Sequence, residues 1–381
     1  MTSSSNRLNL RAFATSQPLS LAFLTAFTIV VFLAVTAISR IYNTQQLALA
    51  GRWSSRGSAE LKAQHFPAAI SDFRTALLYS RDDATYELYL AQALMGEKKY
   101  DEAVAYLTNL WDRHPEDGEV NLELARVAAA KGDTNGAIRY YHNAIYSIWP
   151  ADLERERRKA RFELIDLMLR DRAYAQAQAE LIALSANLGD DPAQRAQVGS
   201  LFLAAQDNDH ALTEFRMSLR GDPHKQAAMA GAGRAAFELA RYSEAARYLR
   251  EAVEAAPNDA ASAGLLRVAD HVLQMDPSRQ GITVAERNRA VIVDFTTAGA
   301  RLDVCNVLAA SSALAPWQTL RQNWTNLKPH ITAYGLRQDP DRVQAAMKLV
   351  FDIEHQTAGA CGPPSEADTA LQLIANMREG S

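Results

Sequence analysis

The sequence predicts an all-α chain: a transmembrane helix near the N-terminus, a solenoid of about six two-helix units with a cap helix, and a C-terminal helical module. Three observations carry this expectation. An uncharged, mostly apolar run of 20 residues extends from Leu19 to Ile38. Small residues then recur at Ala69, Ala103, Ala137, Ala177, Ala211 and Ala245, in steps of 34, 34, 40, 34 and 34 residues. After Pro257 this period stops, while apolar residues at helical spacing continue.

Residues 1–18 are rich in Ser, Thr and Asn and carry Arg7 and Arg11 without an acid, so a disordered tail is expected. The span itself is assigned to residues 19–39. Twenty residues at 1.5 Å each cover roughly 30 Å, the thickness of a bilayer's hydrocarbon. A cleaved signal is the competing reading, since Ala48-Leu49-Ala50 offers a small-x-small site. That site lies well beyond the apolar run, and the run exceeds a signal's usual core. An uncleaved single-pass anchor is therefore expected. Arg7 and Arg11 favour a cytoplasmic N-terminus with the repeats extracytoplasmic, although Arg40, Arg52 and Arg56 lie on the other flank. Ile41 to about Gly51 reads as a short tether.

The repeating part, 50–275, divides into units near 50–83, 84–117, 118–151, 158–191, 192–225 and 226–259, with a cap helix at 260–275. Around each alanine the companions repeat. Three positions before stand Phe66, Tyr100, Thr134, Tyr174, Asn208 and Tyr242; four positions after stand Phe73, Leu107, Tyr141, Leu181, Phe215 and Leu249. Pro115, Pro223 and Pro257 close three of the units. An alanine lets two helix backbones approach, and larger side chains fill the space beside it. Units too small to bury a core alone then make a continuous one by stacking. The pattern is fullest in the first and last units, with Trp53, Gly57, Phe66, Ala69, Phe73 and Ala76, then Gly233, Tyr242, Ala245, Leu249, Ala252 and Pro257.

This 34-residue pattern resembles the tetratricopeptide repeat (TPR), a helix-turn-helix unit. The resemblance implies that the first helix of each unit lines a concave wall that takes a protein or peptide partner. The row then reads Ser58, Gln92, Arg126, Asp166, Ser200 and Arg234, with Phe162, Arg170 and Phe237 beside it. Arg126, Asp166, Arg170 and Arg234 are the polar contacts expected, Phe162, Phe237 and Gln92 the supporting ones. A chaperone-type carboxylate clamp is not expected, because Ser54 and Ser58 stand where Lys and Asn would be needed.

The longer step places six extra residues within Ala151 to Arg158, in a stretch of mixed charge that reads as an extended, solvated helix. Beyond the cap, the 277–381 module is expected to hold helices from Thr283 to Val307, Pro316 to Tyr334 and Asp339 to Gln356, and a last one after Pro364. Asp339 would cap the third, with Pro340 at its first position. Ser365 and Asp368 are spaced as a capping box for the last. Cys305 and Cys361 would form a disulfide if the module lies outside the cytoplasm, and stay reduced otherwise.

No catalytic motif appears. The eight histidines are scattered, and neither they nor the two cysteines suggest a metal site. Asp82-Asp83 and Asp190-Asp191 read as helix starts. Gly231-Ala-Gly233-Arg-Ala-Ala236 mimics a dinucleotide fingerprint but lies in a repeat helix with no strand before it. A net charge of -4 gives no bulk attraction to nucleic acid, and no cofactor is expected. The sequence thus points to a membrane-anchored scaffold or adaptor, active in secretion or complex assembly at a cell envelope. The alternative is an enzyme in the C-terminal module whose substrate the repeats recruit. Oligomeric state is not legible.

Overall fold

A computed structural model of the chain describes residues 10–147, 149, 154–308, 317–358 and 361–379. These residues hold α-helices, one short 3-10 helix and no strand. They divide into two compact units, residues 1–167 and 168–381.

In the first unit, α1 (Leu10–Lys62) is one unbroken helix of 53 residues, about 80 Å long at 1.5 Å per residue. It replaces the tether expected from Ile41 to Gly51, and it begins inside the tail expected to be disordered; residues 1–9 lie outside the described residues. Most of the tether, Gln45-Gln-Leu-Ala-Leu-Ala50, is made of good helix formers, and the single Gly51 does not end the helix. Leu21, Phe23, Leu24, Phe27 and Phe32 on α1 are all exposed, and this stretch is long and apolar enough to cross a membrane. The end of α1 pairs with α2 (Phe66–Tyr79). Then follow α3 (Ala84–Gly96) with α4 (Tyr100–Arg113), α5 (Gly118–Ala130) with α6 (Thr134–Tyr146), and α7 (Glu154–Arg170), within which the division between units falls. The second unit continues with α8 (Tyr174–Ser185), the pair α9 (Pro192–Ala204) and α10 (Asn208–Gly221), and the pair α11 (Gln226–Glu238) and α12 (Tyr242–Ala255).

Every second helix starts at the residue three before its repeat alanine, and all six alanines are inaccessible to solvent. The companions four later are buried as well, all but Tyr141 completely. Each first helix stops in the same way. Gln64, Lys98, Gly132, Arg172, Gln206 and Ala240 adopt positive φ, and the next residue's N–H reaches back to the carbonyl five before it, as His65 to Glu60 and Arg241 to Ala236. This is a Schellman stop, and only one of the six positions carries the glycine that suits it. Asp83 and Asp191 cap α3 and α9, as the sequence suggests, and Asp117 caps α5. Gly231 and Gly233 serve close packing: a Cβ would lie 2.2 Å from the Phe215 ring at the first and 2.6 Å from Leu249 at the second. The longer fourth step is partly absorbed by α7, which has 17 residues where α3, α5, α9 and α11 have 13. The rest of the insertion lies outside the described residues.

The C-terminal part is not a separate module. Tyr242 and Ala246 of α12 and Ala269, Val272 and Met275 of α13 (Ala260–Met275) share one core with Val291, Phe295 and Leu302 of α14 (Val284–Leu308). α17 (Asp341–Thr357) and α18 (Glu366–Glu379) complete it with Val350, Ile353, Leu371 and Ile374. α13 packs on α11 and α12 of the last repeat, as the expected cap helix does, and α18 packs on it as well, with Arg267 paired to Glu366 at 2.8 Å. The helix expected from Pro316 to Tyr334 is shorter: α15 covers Trp317–Leu327, a 3-10 turn follows at Lys328–His330, and α16 covers Gly335–Gln338. Pro329 accounts for the break, since it lacks the N–H that a continuing helix needs. Pro340, not Asp339, is the cap position of α17, although Asp339 Oδ1 accepts from the Asp341 N–H at 3.2 Å. Ser365 and Asp368 form the reciprocal capping box, at 2.9 and 3.1 Å. Cys305 and Cys361 are joined by a disulfide, and one turn earlier Arg301 donates to the carbonyls of Thr357, Gly362 and Pro363.

Candidate protein-binding surfaces

The expected contact residues fall into two groups, one in each unit. In the first unit, successive first helices bring Gln92 of α3, Arg126 of α5 and α7 into one hydrogen-bonded ladder. Gln92 Nε2 donates to Glu123 Oε1 at 3.0 Å, and Arg126 Nη1 donates to the same oxygen at 2.7 Å. Arg126 also forks onto Glu163, Nε to Oε2 at 2.9 Å and Nη2 to Oε1 at 2.7 Å, and Tyr141 donates to Glu163 Oε2 at 3.2 Å. The side chain of Glu123 is only 6% exposed. Burial pushes its carboxyl up, while Arg126 and the hydrogen bond from Gln92 pull it down. Arg126 is therefore committed to the protein's own carboxylates. Phe162 is half-buried and Asp166 exposed on α7.

Glu123 and Glu163 were missed as partners, although a signal existed. Both stand three residues before a position of the expected wall row, Arg126 and Asp166, so they are equivalent positions of consecutive repeats.

In the second unit, α9, α11 and α13 enclose a groove of about 490 Å³. α9 lines it with Ser200, Leu203 and Ala204, and α13 with Ala261 and Leu265. α11 contributes Ala227, Ala230, Gly231 and Arg234. Phe215 reaches this wall from the second row of helices because Gly199 and Gly231 leave room for its ring. Arg234 is exposed and, among the described residues, has no hydrogen-bond or ion-pair partner. Asp259, also at the groove, is engaged as the cap of α13: it accepts from Ser262 Oγ at 2.7 Å, from the Ser262 N–H at 3.1 Å and from Gln226 Nε2 at 3.2 Å. Ser262's hydrogen bonds hold this carboxyl below the ordinary range. Phe237 does not line the groove; its ring stands edge-on to Tyr242, 5.3 Å between centroids, against the C-terminal core. Arg170, the last residue of α7, is exposed.

The groove offers short apolar walls and one guanidinium, which suits an extended polypeptide. Among the described residues no cluster of His, Cys, Asp and Glu could hold a metal ion.

Models of the tetratricopeptide repeat match residues 55–108, 94–145 and 199–260. No curated protein matches the sequence. Similar solved structures include YrrB, "a TPR protein with an unusual peptide-binding site", at 17% identity over 50% of this chain and 95% of that one, TM-score 0.40. pilF of Pseudomonas aeruginosa is similar at 15% identity, over 56% and 95% of the two chains, TM-score 0.41. The C-terminal part of a TPR repeat-containing protein from Cytophaga hutchinsonii is similar at 12% identity, over 84% and 99%, TM-score 0.45.

Proposed function

Because this chain is a tetratricopeptide-repeat protein, with repeat models matching residues 55–145 and 199–260, we propose that it is a membrane-anchored scaffold. Its repeats hold a protein or peptide partner beside a cell envelope, in secretion or in the assembly of an envelope complex. The observation that carries this reading is the continuity of α1. One helix bears the exposed apolar stretch from Leu21 onward and, without a break, the first half of the first repeat. A helix resists bending as a flexible linker does not, so the first repeat would be held at a fixed height above the bilayer. Exposed Phe and Leu side chains at this density have no aqueous function and fit hydrocarbon.

The disulfide between Cys305 and Cys361 supports an extracytoplasmic position for the repeats, since such bonds persist in oxidising compartments. The N-terminus is then cytoplasmic. The proposal gives the chain no reaction of its own.

Two measurements on cells producing the full chain test it. Alkaline carbonate extraction should leave the protein in the membrane fraction. Protease added on the extracytoplasmic side of the membrane should digest the repeats while sparing the N-terminal end. Release by carbonate, or protection of the repeats until the membrane is dissolved, would contradict the proposal.

A further inference from the structure

Comparing equivalent positions of the repeats shows what the second unit lacks. Arg126 is satisfied by two carboxylates, Glu123 three residues before it on its own helix and Glu163 on the next first helix. Arg234 occupies the same row position as Arg126. At the position equivalent to Glu123 stands Gly231, and at the position equivalent to Glu163 stands Leu265. Both carboxylates are thus absent, one replaced by a glycine against which the Phe215 ring packs and the other by an apolar side chain. Both replacements line the groove that Arg234 lines.

We infer that this groove takes an extended peptide segment carrying an acidic side chain beside a bulky apolar one. The acid pairs with Arg234, and the apolar side chain lies in the groove against Leu203, Phe215 and Leu265. The inference rests on the scaffold reading and narrows its partner.

Three features carry it. A guanidinium binds a carboxylate through two parallel N–H donors, as Arg126 does here, and Arg234 has that fork open. Ala204, Ala227, Ala230 and Gly231 leave a groove of about 490 Å³ beside Leu203, Phe215 and Leu265, with room for a large apolar side chain from the ligand. Asp259, the acid at the groove, is already satisfied by Ser262 and Gln226, so it does not serve as Arg234's partner. An internal acidic side chain fits better than a chain terminus. The N–H groups at the start of α13, which could share a terminal carboxylate, are taken by Asp259.

The test uses the full chain in detergent or nanodiscs and fluorescein-labelled, C-terminally amidated dodecapeptides of Gly and Ser bearing a central Phe-Glu-Leu. Fluorescence anisotropy gives the Kd. Replacing the peptide's Glu by Gln should weaken binding at least tenfold, and so should Arg234→Gln. Leu265→Glu, which supplies the protein's own carboxylate as Glu163 does, should weaken it similarly with Arg234 in place. A Phe-Gln-Leu peptide with a free C-terminal carboxylate should not recover the loss. No binding of the acidic peptide, equal binding of the Gln peptide, unchanged affinity in Arg234→Gln or Leu265→Glu, or recovery by the free terminus would each overturn the inference. Circular dichroism checks that the variants fold. Because this assay needs no native partner or membrane orientation, its failure is separable from failure of the scaffold reading.

Discussion

Arg126 and Glu163 sit 37 residues apart in the chain yet are joined by two parallel hydrogen bonds, of 2.9 and 2.7 Å. Glu123 lies behind them, nearly removed from solvent. Arg126→Ala would strand a buried carboxylate, and breaking such a pair costs about 3 kcal/mol. Denaturant unfolding of the variant should show that loss. Arg234→Ala, which has no partner to strand, should stay within about 0.5 kcal/mol of the parent. The two arginines occupy equivalent positions of their repeats, and only their surroundings distinguish them.

The inter-helix turns give a second prediction. Gly132 has φ +79° with open space where a Cβ would stand, so Gly132→Ala meets backbone strain alone and should cost about 1 kcal/mol. Ala240 has φ +56° at the equivalent turn, and Ala240→Gly should stabilise by about 0.5 kcal/mol once glycine's greater unfolded entropy is subtracted. Thermal unfolding of each full-length variant, with hydrogen exchange at the turn, checks both signs.

Two buried acids make the C-terminal core sensitive to pH. Burial, aided by Asp276 and opposed by Arg378, raises the Asp294 carboxyl to about 8, and neither of its oxygens has a hydrogen-bond partner among the described residues. Burial, aided by Asp368 and opposed by Arg301, raises Glu354 to about 8 as well. The unfolded chain releases these protons near pH 4, whereas the folded chain keeps them until about pH 8. The folded state therefore binds more protons throughout that window, and stability falls as pH rises from about 4 to about 8. Asp294→Asn with Glu354→Gln should flatten this dependence and raise the melting temperature at pH 8 more than at pH 5.

The disulfide closes a loop of 56 residues between Cys305 and Cys361. On the chain-entropy model a loop of this length contributes about 4 kcal/mol. Reduction should lower the denaturant midpoint of the C-terminal core by a corresponding amount, and Cys305→Ser with Cys361→Ser should reproduce the effect without reductant.

The repeats were legible because their packing rule is local and periodic. Six alanines set the period of the units, and the aspartates before α3 and α9 marked two of the helix starts. The Schellman stops were not legible, since five of the six positive-φ positions carry Gln, Lys, Arg or Ala instead of glycine. The pairing of Arg126 with Glu163 was missed because reading one row of positions hid the acids three residues earlier. Phe237 was assigned to the wall by its spacing, whereas the neighbouring Tyr242 draws its ring into the core. The division at residue 277 failed for a similar reason: the apolar stripe of α13 continues into α14, α17 and α18 and cannot be seen from the end of the period alone.

The most direct test of the account is a photo-activatable amino acid placed in cells at Ala204, in the second-unit groove, or at Leu78, exposed on the second helix of the first repeat. The account predicts a polypeptide adduct from Ala204 that is lost with Arg234→Gln, and none from Leu78. Adducts from Leu78 alone, or an Ala204 adduct indifferent to Arg234, would contradict it.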